Sequence, residues 1–218
     1  MNAYTDGSSR GNPGPGGWAV IMKDGNRVTE HAGREAETTN NRMELAAVIH
    51  ALKLAKGKSV TIHTDSQYVM NGATRWISGW KRNGWKTASR APVLNQDLWQ
   101  ELDQALADTD SHFVHVRGHA GHPENERADE IATSSALGKA IDLYSGDSAG
   151  YSPVPMKAAS APFPARSKEF YVSDIAGDIV IHDNWDDCQA RIEGFVARFK
   201  KALSEEDARA IAVAWKNS

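Results

Sequence analysis

The sequence predicts an α/β fold, a mixed sheet covered by helices, followed by a linker and a small α+β domain. Three observations predict it. A hairpin pattern opens the chain, strand-like and helix-like patterns then alternate to about Leu137, and a stretch rich in Ala, Ser, Pro and Gly separates them from a second patterned region. The chain of 218 residues is long enough for one full domain and a small second one.

Each element has its own warrant. GWAVIMKDGNRVTEHAG contains two strand-like runs around the hairpin signal Asp24-Gly25. The stretch from Asn41 to Lys56 places Leu45, Val48, Ile49 and Leu52 on one helical face, with Thr39 as its N-cap. SVTIHTD alternates Val60 and Ile62 and delivers Asp65 at the C-terminal end of a strand. DLWQELDQALAD reads as a helix, HFVHV as a strand, and PENERADEIATSSAL as a closing helix opened by Pro123. Residues 1–140 therefore form the expected first domain. Residues 141–165 carry no sustained apolar period and read as a flexible linker. Residues 166–218 form the second domain: two strands, a helix from Asn184, a short strand and a final helix.

Bulk properties exclude some classes. The lone Cys188 rules out an internal disulfide framework and fits a reducing compartment. The start, MNAYTDGSS, lacks the basic and apolar runs of a signal peptide, and no apolar stretch is long enough to span a bilayer. A cytoplasmic chain without a membrane partner is expected. Only five residues precede Asp6, so an upstream start codon stays an open alternative. The net charge of −3 does not exclude nucleic acid, because an acidic chain can carry one basic face.

Four acids stand out, Asp6, Glu44, Asp65 and Asp129, each inside a short signature: TDGSSRGNPGPGG, TTNNRMEL, TDSQYV and GHAGHPENERADE. Singly, Asp65 is suggestive as the lone acid closing an apolar strand, while the other three have plain explanations. Asp6 can form a turn before a glycine-rich hairpin loop, Glu44 can answer a helix dipole, and Asp129 can be a solvated helix residue. Together, at strand ends and inward helix faces, they suit two Mg²⁺ ions about 4 Å apart for phosphodiester hydrolysis. Hard oxygen ligands are what Mg²⁺ requires.

From Ala3 to about Leu137 the chain resembles a type 1 ribonuclease H of the bacterial kind. TDGS…GNPGPGG, TTNNRMEL, TDSQYV, GWKRNGWKTA and GHAGHPENERADE occur in family order and spacing. The resemblance implies a ribonuclease H-like five-stranded mixed sheet flanked by helices. It implies endonucleolytic hydrolysis of the RNA strand of an RNA/DNA hybrid, leaving 5′-phosphate and 3′-hydroxyl ends. Asp6, Glu44, Asp65 and Asp129 become ligands of two Mg²⁺, with Mn²⁺ as a substitute; one ion would activate water and the other would stabilise the leaving 3′ oxygen. His119 corresponds to a mobile histidine that assists proton transfer or product release, work suited to an imidazole of pKa about 6.5. A surface imidazole is the plainer alternative for it. Glu126 corresponds to an acid close to the metals.

The same resemblance assigns Asn12, Asn40 and Gln67 to the RNA strand, whose 2′-hydroxyls donate and accept hydrogen bonds. Turn or cap chemistry is the alternative for the two asparagines. The DNA strand is assigned to Thr39 and Asn95 and to a protrusion bearing Arg75, Trp76, Trp80, Lys81, Arg82, Trp85, Lys86 and Arg90. No acid occurs between Asp65 and Asp97, and phosphate rewards such a basic stretch. Trp76 and Trp80, at i and i+4, could equally be core. Glu37 departs from the family, which often has Arg there, and would repel a phosphate unless it points away.

The C-terminal segment resembles a ribonuclease H hybrid-binding domain in Phe170-Tyr171-Val172, Trp185-Asp186-Asp187-Cys188, Gly194-Phe195 and Arg198-Phe199-Lys200-Lys201. The resemblance implies that Trp185 and Phe199 stack on a DNA sugar while Lys200 and Lys201 meet phosphates. The competing reading makes both aromatics the core of a very small domain. Acids exceed basic residues from Arg166 onward, so a protein or single-strand partner is the alternative. The expected whole is a monomeric hybrid ribonuclease with a tethering module. An inert hybrid-binding scaffold is its rival.

Overall fold

The computed structural model describes residues 1–87, 89–118, 122–153, 170–183, 185–192, 197–202 and 204–216, with backbone alone at 185, 186, 189 and 190. They fall into two compact units, Met1–Lys157 and Ala158–Ser218. No helix among them is long and apolar enough to cross a membrane.

The first unit opens as an antiparallel meander: β1 (Asn2–Ser9), β2 (Gly14–Asp24) and β3 (Arg27–Thr38). Gly25 takes φ +58° in the β2–β3 turn, a left-handed conformation that glycine adopts without steric cost. Helix α1 (Asn40–Leu54) then carries the chain over the sheet to β4 (Ser59–Thr64), which pairs parallel with β1. Thr39 caps α1, its hydroxyl accepting from the Arg42 amide at 3.4 Å. A broken helical stretch follows: α2 (Gln67–Asn71), a π turn (Gly72–Trp76) and α3 (Ile77–Arg82). After it come α4 (Gln96–Ala107), β5 (Asp110–His115) parallel to β4, and α5 (Pro123–Ala136) with proline in its first turn.

One further strand, β6 (Ser145–Asp147), pairs antiparallel with β3, giving a six-stranded sheet of order β5-β4-β1-β2-β3-β6. The fold is the expected mixed sheet with helices, one strand larger. Leu45, Val48 and Leu52 of α1 pack with Trp99 and Leu102 of α4 over one face; Ala128, Ile131 and Ala132 of α5 cover Ala19, Ile21 and Val28 on the other. Both faces of β2 are buried, which is why its apolar run is continuous rather than alternating.

Two expectations need correction. Asp6 does not close a strand before a long loop: β1 runs on to Ser9 and β2 begins at Gly14. The glycines there serve close packing, since a Cβ on Gly17 would lie 2.5 Å from the α5 backbone. The first part of the expected linker is also not free chain. β6 binds the sheet edge, and Ile141, Tyr144 and Tyr151 pack against the α5 core. A short strand with few apolar residues has no readable period, so the segment looked like linker. Residues 154–165 lie outside the described residues.

The second unit is β7 (Phe170–Ile175), β8 (Asp178–His182), α6 (Trp185–Ile192), β9 (Ala197–Ala202) and α7 (Glu205–Lys216). Its antiparallel sheet has the order β8-β7-β9. Val172 and Ala202 pack with Ala208 and Ile211 of α7, and the opposite face carries Ser173, reached by Arg191 of α6 at 3.0 Å. This is the expected small α+β unit.

Candidate metal centre and nucleic-acid surface

β1, α1 and the end of β4 bring three carboxylates together. Ligand-type oxygens of Asp6, Glu44 and Asp65 lie within 4.8 Å of one another, and Asp6 and Glu44 are only 6% and 5% exposed. Gly7 makes this possible: a Cβ there would stand 2.2 Å from the Glu44 amide nitrogen, so α1 rests directly on β1. Gly118 also passes close to Asp65, where a Cβ would be 2.7 Å from Oδ2. The buried Asn125 of α5 donates from Nδ2 to the same oxygen at 3.3 Å.

The electrostatics of the group are unfavourable without a cation. Burial first, then the charges of Asp6, Asp65 and Asp129, push the Glu44 carboxyl well above the ordinary carboxylate range; the Gly7 amide pulls weakly the other way. Glu44 Oε2 is buried with no hydrogen-bond partner among the described residues. Buried acceptors normally have a partner. An orphaned carboxylate oxygen beside two more carboxylates fits a hard divalent cation, with oxygen the only donor type present. Asp129 on α5 is not one of the trio, yet its charge reaches Glu44. Glu126 lies in the first turn of α5. His119 lies outside the described residues.

The residues assigned to nucleic acid are spread over the same unit. Asn12 is exposed in the β1–β2 turn, Asn40 is exposed at the first position of α1, and Gln67 is exposed at the first position of α2. Thr39 and Asn95 stand at the starts of α1 and α4, and Asn95 holds φ +57° while donating to the Tyr68 hydroxyl at 3.1 Å. Arg42, which the motif reading passed over, joins these two helix starts by a bidentate pair with Asp97 at 3.0 and 2.7 Å. The pair raises the guanidinium and holds the Asp97 carboxyl below its ordinary range. Glu37 is exposed near the end of β3.

The protrusion divides its aromatics by depth. Trp99 is fully buried, Trp80 lies 5.4 Å from it, and Trp76 lies 5.5 Å beyond Trp80 and is 37% exposed. Trp85 is half-buried against the same core with φ +60°. Arg75, Arg82, Lys86 and Arg90 are exposed; Lys81 is also exposed but is paired with Asp103 at 2.7 Å.

In the second unit Phe199 is 52% exposed, and Lys200 and Lys201 are exposed on β9. The register splits this group. Phe199 and Lys201 face the side of Ser173 and Tyr171, whereas Lys200 shares the Val172 side. Arg198 stacks over Trp215 at 4.6 Å and binds Asp174 at 2.8 Å. The side chain of Trp185, and Gly194 and Phe195, lie outside the described residues.

The chain matches the RNase H family model over residues 1–137. Ribonuclease H of Neisseria gonorrhoeae is 59% identical over 134 residues, 61% of this chain and 92% of that protein. Ribonuclease H of Rhodospirillum rubrum is 56% identical over 146 residues, 65% of this chain and 88% of that protein. Among solved structures, LC9-RNase H1, a type 1 RNase H with the type 2 active-site motif, is 34% identical with a TM-score of 0.58 and covers 75% of this chain and 92% of its own. The PFV RNase H domain, 24% identical with a TM-score of 0.53, shares the fold; it is covered over 95% of its length by 64% of this chain.

Proposed function

The chain belongs to the ribonuclease H family, and we propose that it cuts the RNA strand of RNA/DNA hybrids at the Asp6–Glu44–Asp65–Asp129 cluster, leaving 5′-phosphate and 3′-hydroxyl ends. The observation that carries this reading is the acidic trio, with Asp6 and Glu44 buried and one Glu44 oxygen unpartnered among the described residues. Two bound Mg²⁺ ions, or Mn²⁺ in their place, would supply an activated water and offset charge on the phosphate. Asp6, Glu44, Asp65 and Asp129 would hold them. Asn125 fixes the rotamer of Asp65 through Oδ2. His119 moves a proton or helps release product, and Glu126 assists beside the metals.

Substrate choice follows from the surface. Asn12, Asn40 and Gln67 meet 2′-hydroxyls of the RNA strand. Thr39 and Asn95 receive a DNA phosphate, and Trp76, Trp80, Trp85, Lys81, Arg82 and Lys86 form the wall along the DNA strand. The exposed Glu37 does not have to face that phosphate. The 166–218 unit tethers hybrid through Trp185, Phe199, Lys200 and Lys201, raising the effective concentration of the catalytic unit; a protein or single strand is its alternative partner. The chain acts as a cytoplasmic monomer.

The test is Mg²⁺-dependent cleavage of an end-labelled hybrid, with double-stranded RNA and DNA as controls and Asp65→Asn as the inactive variant. Cutting of the hybrid alone, abolished by Asp65→Asn, supports the reading. Hybrid binding without cutting by the native chain would favour an inert scaffold.

A further inference from the structure

We propose that Glu30 is a positioning residue for the metal centre: acting through Arg127 and fastened by the 141–151 strap, it fixes α5 and hence where Asp129 stands. This rests on Asp129 serving the ions as proposed above.

Glu30 lies on β3, is not one of the acidic trio, and its side chain is 1% exposed. It accepts from Arg127 Nε and Nη2, both at 2.9 Å, from the Tyr144 amide at 3.0 Å and from the Tyr151 hydroxyl at 3.1 Å. One carboxylate thus ties a strand, a helix and a strap together. Burial alone would raise the Glu30 carboxyl, but the Arg127, Tyr144 and Tyr151 hydrogen bonds together hold it below the ordinary range. Arg127 also donates to the Asp142 carbonyl and to Glu130, both at 2.8 Å.

Arg127 stands two residues before Asp129 on α5. That helix lies on Gly17 of the sheet, and Ile141, Tyr144 and Tyr151 pack against the cluster that Ala128, Ile131 and Ala132 form with Ala19, Ile21 and Val28. Exposed ion pairs fix little, but a buried, fully hydrogen-bonded pair has one geometry and tolerates loss of neither partner. Asp129 reaches the trio only from this helix, so small shifts of α5 change its share of the site. The strap lies beyond residue 137, where the family match ends.

Three full-length variants test the proposal: Glu30→Gln, Tyr151→Phe, and Leu102→Val as a core control away from α5. Mn²⁺ binding is measured by calorimetry without substrate, together with Tm and the Mg²⁺ dependence of hybrid cleavage. Glu30→Gln and Tyr151→Phe are expected to weaken Mn²⁺ binding about 3- to 10-fold and to raise half-saturating Mg²⁺ by the same factor, with kcat at saturating Mg²⁺ within about twofold. Leu102→Val should lower Tm without moving either metal constant. A fall in Tm with unchanged Mn²⁺ affinity, or an equal shift in Leu102→Val, overturns the proposal. Failure of the native chain to cut hybrid would overturn the functional reading instead, and the Mn²⁺ measurement would still decide the role of Glu30.

Discussion

Gly7 and Glu44 meet backbone to backbone: a Cβ on Gly7 would lie 2.2 Å from the Glu44 amide nitrogen and 2.4 Å from the Met43 carbonyl carbon. Neither atom belongs to a flexible side chain, so nothing can swing aside. Gly7→Ala must lift α1 from β1 and carry Glu44 away from Asp6. Overpacking of this kind costs about 1–3 kcal/mol. Urea unfolding should show that loss. Cleavage should fall by more than tenfold, since misplacement of about 1 Å alone can cost about 100-fold. Near-native activity in Gly7→Ala would contradict the close packing.

The raised Glu44 carboxyl has a stability consequence of definite sign. Native protein keeps this proton at pH values where the unfolded chain, near the ordinary 4.5, has lost it. Stability contributed by the neutral form is therefore full below the unfolded value and declines as pH rises towards the folded one. Metal-free Glu44→Gln should melt higher than the metal-free native chain at neutral pH, each kcal/mol of relieved charge burial and repulsion giving about 2–4 °C. The difference should vanish near pH 4. Mg²⁺ should raise the Tm of the native chain and leave Glu44→Gln nearly unmoved. Identical melting of the two metal-free proteins across this range would remove the electrostatic account of the site.

The acids were legible because each signature supplies its own punctuation, glycines after Asp6, a cap before Glu44, a strand before Asp65. The spacing of contacts was not. Asn125 sits within a quoted motif, yet only the fold shows its amide at Asp65. Glu30 is not singled out by any motif, because its partners Arg127 and Tyr151 lie 97 and 121 residues away. Helix periodicity found α1, α4 and α5 at nearly their observed bounds, because amphipathic burial is local information. β6 pairs only three residues with β3, too few to leave a pattern. In the same way Trp76 and Trp80 look alike at i and i+4, and only depth separates them.

That depth predicts different losses for the two tryptophans. Trp80 bridges Trp99 and Trp76, so Trp80→Ala opens a hole beside Trp99, a ring held so closely against Gly72 that a Cβ there has no room. It should cost up to about 3 kcal/mol of stability. Trp76→Ala removes a ring that is 37% exposed and should leave stability nearly unchanged while weakening hybrid binding about tenfold. Thermal melting and fluorescence anisotropy with a catalytically inactive Asp65→Asn background separate the two. Equal effects of both substitutions on both measurements would mean that the aromatics act as one structural block.

Shortening the chain separates the strap from the second unit. A chain ending at Pro153 keeps β6, Tyr144 and Tyr151; one ending at Ala140 loses all three and strips Glu30 of two of its donors. The shorter product should melt lower and need more Mg²⁺, whereas the longer should match the full chain at low salt. Phosphate contacts weaken as salt rises, so a tethering second unit matters most when the catalytic surface alone binds poorly. The expected result is a KM about 3- to 10-fold higher for the Pro153 product at moderate salt, with kcat retained. Acids outnumber basic residues from Arg166 onward, and the split of Phe199 and Lys201 from Lys200 across β9 makes the face with Phe199 and Lys201 the candidate for that task. Identical salt profiles for the full chain and the Pro153 product would take hybrid away from the second unit and assign that face to a protein or single strand.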